Sequence, residues 1–471
     1  MSLVSIELGD SGILAAAGRP PKLVGVDGQE TASPGFALQD KKGLVVGRSA
    51  ERQARLHPQK VQHRFWDQLS THALKSPGRY AETHAEIAFA HLARVWEQIK
   101  PHGNEVMFAI PAFFSRHQLG LLLGMSQELG IPVKGLIIQA VAAAPQPLPG
   151  SHLLFINVHL HRTEVTLLSQ SDELSFEESA TLDEQGLIHL YRNWAETIAE
   201  EFVRTSRFDP LHEAASEQAL YDQIPVLLTR LHKEPTATVK LGFGKSVHRI
   251  SLGRDRLKKS CASYLDQVGA LVRSILGKAG LQKGDATLLM SRRFAHFPGT
   301  ATTLPEFDKG HRGELETGAG ALNLHKIWNQ LPYPNSGGGA AFFTSRPWQP
   351  YRGDGYMQSE SILEAERKPS HILYGNLAYP ITEKPTYIQW EKTSDGGEVS
   401  FNRQPSAADQ HATIQRVDDK VVLTVFRHKD IYVDNQALEK ERTALYVGQT
   451  IRFKDRGEPV RLIACLDSND A

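Results

Sequence analysis

Val106-Met-Phe-Ala-Ile-Pro-Ala-Phe-Phe-Ser-Arg-His-Gln118 is the stretch on which the fold of this chain turns. Its opening run, Val106–Ile110, is short, apolar and stopped by Pro111, so it reads as a strand. Val4–Leu8 and Leu153–Val158 read in the same way. Elsewhere the apolar residues take helical spacing. Leu92, Val95, Trp96 and Ile99 share one face, as do Leu187, Tyr191, Trp194, Ile198 and Phe202, and again Cys261, Leu265, Val268, Val272 and Leu276. Each such face can cover a sheet. From Val4 to about Trp328 strands and helices alternate, the pattern of a mixed α/β domain.

Beyond Trp328 the composition changes. Leu331 to Arg352 holds Gly337-Gly338-Gly339 with Pro332, Pro334, Pro347 and Pro350, which is linker chemistry. After His371 come short β runs: Ile372–Tyr374, Thr386–Trp390, Ala412–Val417, Val421–Phe426, Ile431–Val433 and Thr450–Phe453. Turn residues such as Asp395-Gly396-Gly397 and Asp418-Asp419 separate them, and strands so closely spaced predict a small β-sandwich. The expected organisation is a first domain over residues 1–330, a linker over 331–365 and an all-β module over 366–471. A length of 471 residues leaves room for both domains.

Lys+Arg 53 balances Asp+Glu 53 with no basic stripe, which argues against nucleic acid as a partner. No apolar stretch approaches the roughly 20 residues of a membrane span. Met1-Ser-Leu-Val-Ser-Ile lacks the basic and apolar regions of a secretion signal, so a soluble cytoplasmic protein is expected. Cys261 and Cys465 each lack a neighbouring cysteine and read as buried structural thiols.

Four segments resemble the heat-shock-70/DnaK family and occur in the family's order. Val46-Gly-Arg-Ser-Ala-Glu-Arg-Gln-Ala-Arg-Leu-His-Pro58 is similar to V-G-x-x-A-x-x-Q-x-x-x-x-P, and Ile110 to Gln118 is similar to V-P-A-Y-F-x-x-x-Q, with Leu129-Gly-Ile-Pro following. Ile137-Ile-Gln-Ala-Val-Ala-Ala-Ala144 resembles I-I-N-E-P-T-A-A-A, and Glu316-Thr-Gly-Ala-Gly-Ala321 resembles the A-x-G-A-A helix. The resemblance covers about the first two thirds of the chain. It implies an actin-like (ribonuclease-H-like) two-lobed nucleotide-binding fold.

That family grips phosphate with two glycine-rich turns and holds magnesium with carboxylates, so its site can be compared position by position. The first turn is Glu7-Leu8-Gly9-Asp10-Ser11-Gly12, where Asp10 sets a negative charge in place of a neutral hydroxyl. The second aligns with Asn157-Val158-His159-Leu160-His161-Arg162-Thr163-Glu164, with Asn157 for the metal-side aspartate and side chains at 159–161 in place of glycines. Gln139 replaces a carboxylate, Met290-Ser291-Arg292-Arg293 replaces V-G-G-S, and Gln62-His63-Arg64-Phe65-Trp66 carries no lysine where the family has its catalytic one. The nucleotide-site positions Glu7, Gly9, Gly12, Asn157 and Glu164 are therefore expected to be inactive, with no cofactor and no catalytic residue. His159-Leu160-His161 has the H-x-H form of some metal sites but lacks a third ligand at a recognisable spacing; the other reading is that both rings fill a cleft without phosphate. Arg292-Arg293 reads either as an anion site or as a solvated, ion-paired surface.

The last hundred residues resemble a forkhead-associated domain, through Gln410-His-Ala-Thr-Ile414, Val421-Val-Leu423, Ile431-Tyr-Val-Asp-Asn-Gln-Ala-Leu438 and Ala444-Leu-Tyr-Val-Gly-Gln-Thr-Ile-Arg-Phe453. That family reads phosphothreonine. Here the family's phosphate-binding arginine falls near Ile388-Gln389-Trp390, Ala408 and Asp409 replace Ser-Arg, and Asp434-Asn435 replaces Asn-Gly, while His411 is kept. The charge-assisted bonds on which phosphate affinity depends are lost. The expected function is a non-catalytic chaperone-like scaffold or adaptor that takes a protein partner at its C-terminal domain independently of phosphorylation. Two alternatives stay open: an ATP-binding chaperone or weak ATPase that holds ATP and Mg, and an actin-like assembly subunit.

Overall fold

A computed structural model describes residues 2–333 and 339–349, apart from 245, 283, 305, 306 and 308, and, between 369 and 463, the strands with a few adjoining residues. The chain divides into two compact units, Met1–Tyr356 and Met357–Ala471. It is mixed α/β in the first and all-β, among the described residues, in the second.

The first unit contains one sheet plan twice. Strands β1 (Leu3–Gly9), β2 (Gly12–Ala17) and β3 (Lys22–Leu23) form an antiparallel meander. Helix α1 (His84–Ile99) leads to β4 (Glu105–Ile110), parallel to β1, and α2 (Arg116–Glu128) leads to β5 (Val133–Ile138), parallel to β4. Helix α3 (Gln139–Ala143) follows. The second half repeats this: β6 (His152–Val158), β7 (Arg162–Gln170) and β8 (Glu173–Asp183) are antiparallel. After α4 (Leu187–Ser206), α5 (Ala214–Lys233), the hairpin β9–β10 (Thr236–Phe243, Ser246–Gly253) and α6 (Ala262–Lys278), β11 (Ala286–Ser291) lies parallel to β6. Helix α7 (Arg292–Ala295), β12 (Arg312–Leu315), parallel to β11, and α8 (Ala319–Ile327) complete it.

Local chemistry explains these elements. The opening stretch folds as strand, turn and helix because Val106 to Ile110 is wholly buried and Ser115 and Gln118 form a capping box that starts α2. The helical faces read from sequence point inward: Leu92, Val95, Trp96, Ile99, Trp194, Ile198, Phe202, Val268 and Val272 are buried. The halves exchange helices. α8 packs on β1 and β2, α3 packs on β7 and β8, and the two meet where the Asn323 amide donates to the Ala143 carbonyl at 2.8 Å.

The stretch expected to be a spacer corrects the boundary. β13 (Ala341–Phe343) adds in parallel to β5, and β14 (Ser345–Pro347) adds antiparallel to β8, so the segment runs from one sheet to the other. Pro347 sits at the end of an edge strand, where a missing N–H is tolerated. Inside this strap Arg346 is buried and donates to the carbonyls of Val141 (2.9 Å) and Ala144 (2.5 Å). The first unit therefore extends well past residue 330.

Among its described residues the second unit holds two sheets. One has the order Leu377–Pro380, His371–Tyr374, Val460–Ile463, Thr450–Phe453, Ile431–Val433, Gln436–Ala437; the other has Glu398–Asn402, Thr386–Glu391, Ala412–Val417, Lys420–Val425, Arg442–Leu445. Ile372, Ile388, Ile414, Leu423, Leu445, Ile451 and Leu462 share one core. Ala408, Asp409, His411, Asp434, Asn435 and Cys465 lie outside the described residues. Cys261 is buried, its thiol 3.1 Å from the Pro298 carbonyl and pushed up to about 11 by burial.

Candidate functional site

The repeated plan sets the β1–β2 turn against the β6–β7 turn across a cleft. The first turn is Asp10-Ser11, between Gly9 and Gly12; the second is His159-Leu160-His161. Asp10 is buried, and its carboxylate accepts the backbone N–H groups of Leu160 at 2.7 Å and His161 at 3.1 Å. The charge expected to repel an incoming anion thus serves as the anion. Gly35 makes room for the backbone of the turn, since a Cβ there would lie 2.1 Å from the Asp10 main-chain carbonyl oxygen.

Glu7 makes a second carboxyl–amide contact at the other side of the cleft. Its carboxylate accepts the Ala321 N–H at 3.3 Å, at the N-terminus of α8, where the helix dipole favours negative charge. A Cβ on Gly320 would come within 2.6 Å of that carboxylate, so glycine is needed for the approach. Desolvation raises the Glu7 carboxyl above the usual range, against the pull of the Ala321 and Gly320 amides and of Arg293.

Between these anchors lies His159, buried, with Nε2 3.3 Å from Glu164 and Nδ1 3.6 Å from Asp10. Asn157 donates to Gln139 at 3.1 Å. The Phe113 ring stands perpendicular to His159 with centroids 5.1 Å apart, and the Arg162 guanidinium lies 4.5 Å over Phe113 while bonding Asp67 at 3.0 Å. His161 turns the other way. It stacks on His63 with centroids 5.0 Å apart and donates through Nε2 to the His63 carbonyl at 2.9 Å. The rings of the H-x-H pair therefore diverge, because they stand in a turn and not along a strand. Among the described residues neither joins a cluster of three metal-ligating groups. Burial, with His161 and Arg64 beside it, holds the His63 imidazole down at about 3.

Glu7, Gly9, Gly12 and Asn157 line the cleft, and Glu164 stands behind His159. Arg292 and Arg293 line it too: Arg293 donates to the Val158 carbonyl at 3.0 Å, and Arg292 is 3.9 Å from Glu314. The space they leave is about 90 Å³, below the roughly 300 Å³ at which small-molecule sites begin. Asp67, Phe113 and Asn323 carry no sequence signal for their parts, since each acts on a residue far along the chain.

Among the described residues no helix is long and apolar enough to cross a membrane. The chain matches no protein-family model and, at a significant level, none of the curated proteins compared with it.

Proposed function

We propose that this chain is a non-catalytic, chaperone-like scaffold or adaptor built on an inactive heat-shock-70-type ATPase fold, with a forkhead-associated-like module that takes a protein partner. The repeated sheets and exchanged helices support the actin-like, two-lobed reading of the first unit. The non-catalytic reading rests on Asp10, whose carboxylate occupies the Leu160 and His161 amides that a phosphate would need. A nucleotide would have to displace that carboxylate, or meet it as a like charge in a desolvated place.

In the module, Gln389 is buried and accepts the Asn402 amide at 3.2 Å, which ties it into the sheet and supports recognition that does not depend on phosphate. The test is calorimetric titration of the full chain with Mg-ATP. No saturable heat is expected up to millimolar nucleotide. Saturation at micromolar ATP, or a magnesium-dependent rise in melting temperature, overturns the proposal in favour of an ATP-binding chaperone.

A further inference from the structure

We propose that His232, His296 and Glu314 form a binding site for a first-row divalent cation, with zinc the best match, on the outer side of the second half. The three residues come from separate elements: the last turn of α5, the residue that ends α7, and the middle of β12. One ligand atom from each lies within 4.8 Å of the others. The His296 Nε2 stands 3.0 Å from Glu314 Oε1, and the imidazoles of His232 and His296 stack with centroids 4.2 Å apart and planes 19° apart. Two imidazoles and one carboxylate are a donor set that suits zinc, and three protein ligands leave a fourth position to solvent.

The distances are close to what an ion requires. Tetrahedral zinc with bonds of about 2.0–2.1 Å sets its ligand atoms about 3.4 Å apart, so capture asks for shifts of about 1 Å. Imidazole binds a metal in its ring plane, so the stacked rings must rotate apart, and the terminal torsion of histidine is soft. The backbone beneath them is fixed: Arg254 donates to the carbonyl of His232, and Glu314 is paired in register with Met290. Arg292, 3.9 Å from Glu314, is the competing cation and is exposed enough to swing away. A bound ion would brace the end of α5 against the β11–β12 edge of the sheet.

The experiment titrates Zn²⁺ alone into the full, metal-stripped chain against a chromophoric chelator at neutral pH, and repeats it with Co²⁺ for its absorption spectrum. One equivalent is expected to bind, with visible Co²⁺ bands of a low-coordinate nitrogen and oxygen site. His232→Ala and His296→Ala should each weaken binding at least tenfold, and His117→Ala, an exposed histidine elsewhere, should leave it unchanged. His232 is exposed, so its variant tests the site without disturbing the core. Unchanged affinity in the His232→Ala chain, or no Co²⁺ bands in the unaltered chain, overturns the assignment.

Discussion

The hairpins β1–β2 and β6–β7 hold the same place in their sheets, and Glu7↔Leu14 in one pairs as Asn157↔Glu164 does in the other. Their strands are alike in character, with Val4, Ile6, Leu8 and Leu154, Ile156, Val158 all buried. Their turns have opposite parts. The first projects a carboxylate; the second presents amides to it. Strand burial fixes the architecture and leaves the turns free to change, so two like hairpins can face each other with opposite chemistry.

The hardest blow to this complementarity is Asp10→Ala. It strips two buried amides of a charged acceptor, and at roughly 1.5–3 kcal/mol for a hydrogen bond to a charged group the expected loss is about 3 kcal/mol. Urea denaturation would measure it. Asp10→Asn keeps a carbonyl acceptor and should lose about half as much. A loss below about 0.5 kcal/mol for the alanine variant would mean that the turns do not depend on each other.

Much of the fold was legible because burial writes itself locally. The apolar runs at residues 4–8, 106–110 and 153–158 are strands, and the helical faces point into the cores. The strap was not legible. Phe342 and Phe343 sit among proline and glycine, and only the open edges of β5 and β8 make strands of their neighbourhood. At the site, sequence gave the departures at Asp10, Asn157 and residues 159–161 but not their consequence. A charge in a turn looks repulsive until its amide partners, some 150 residues away, are known. Likewise His232, His296 and Glu314 have no common spacing and meet only through the fold.

The strap gives the next test, because it joins the same two sheets by a different means. Arg346 donates to two carbonyls and lies 4.4 Å over Trp348. Arg346→Ala removes those bonds and the packing of its stem, with an expected loss of about 2 kcal/mol. If it equals Asp10→Ala, the turns and the strap are equally responsible for holding the halves.

Acid provides a smaller probe. His91 accepts the Trp66 indole N–H at 3.0 Å on Nδ1, so its second proton would break that bond, and burial holds it down at about 4. His63 is held at about 3. Both native values lie below the unfolded 6.5, so the unfolded chain binds more protons as pH falls, and stability is lost below pH 6.5. Glu7, raised by desolvation, acts oppositely: the native state keeps its proton above pH 4.5, and that contribution is lost as pH rises through its native value. Between pH 6.5 and 5.5 each histidine should account for about 1 kcal/mol of lost stability. His91→Gln should remove its share of the slope, as pH-dependent denaturation would show; an unchanged slope would mean that His91 accepts a proton in the native state.

The least effect is expected from removing the second unit, and the place of the cut makes it informative. The last described β-strand of the first unit ends at Pro347, and the second unit has a core of its own in Ile372, Ile388, Ile414, Leu423 and their neighbours. A chain ending at Tyr356 should keep the first unit's unfolding free energy to within about 0.5 kcal/mol. A chain ending at residue 330 also loses β13, β14 and Arg346, and should fall by more than Arg346→Ala alone. Equal stability of the two truncations would return the strap to the status of a spacer. The excised module carries the complementary test: on the proposed reading it captures its partner from lysate equally with and without phosphatase, because the buried Gln389 offers no cation to a phosphate. Capture abolished by phosphatase would place an anion site in the module's loops and separate it from the first unit, where Asp10 already takes the Leu160 and His161 amides.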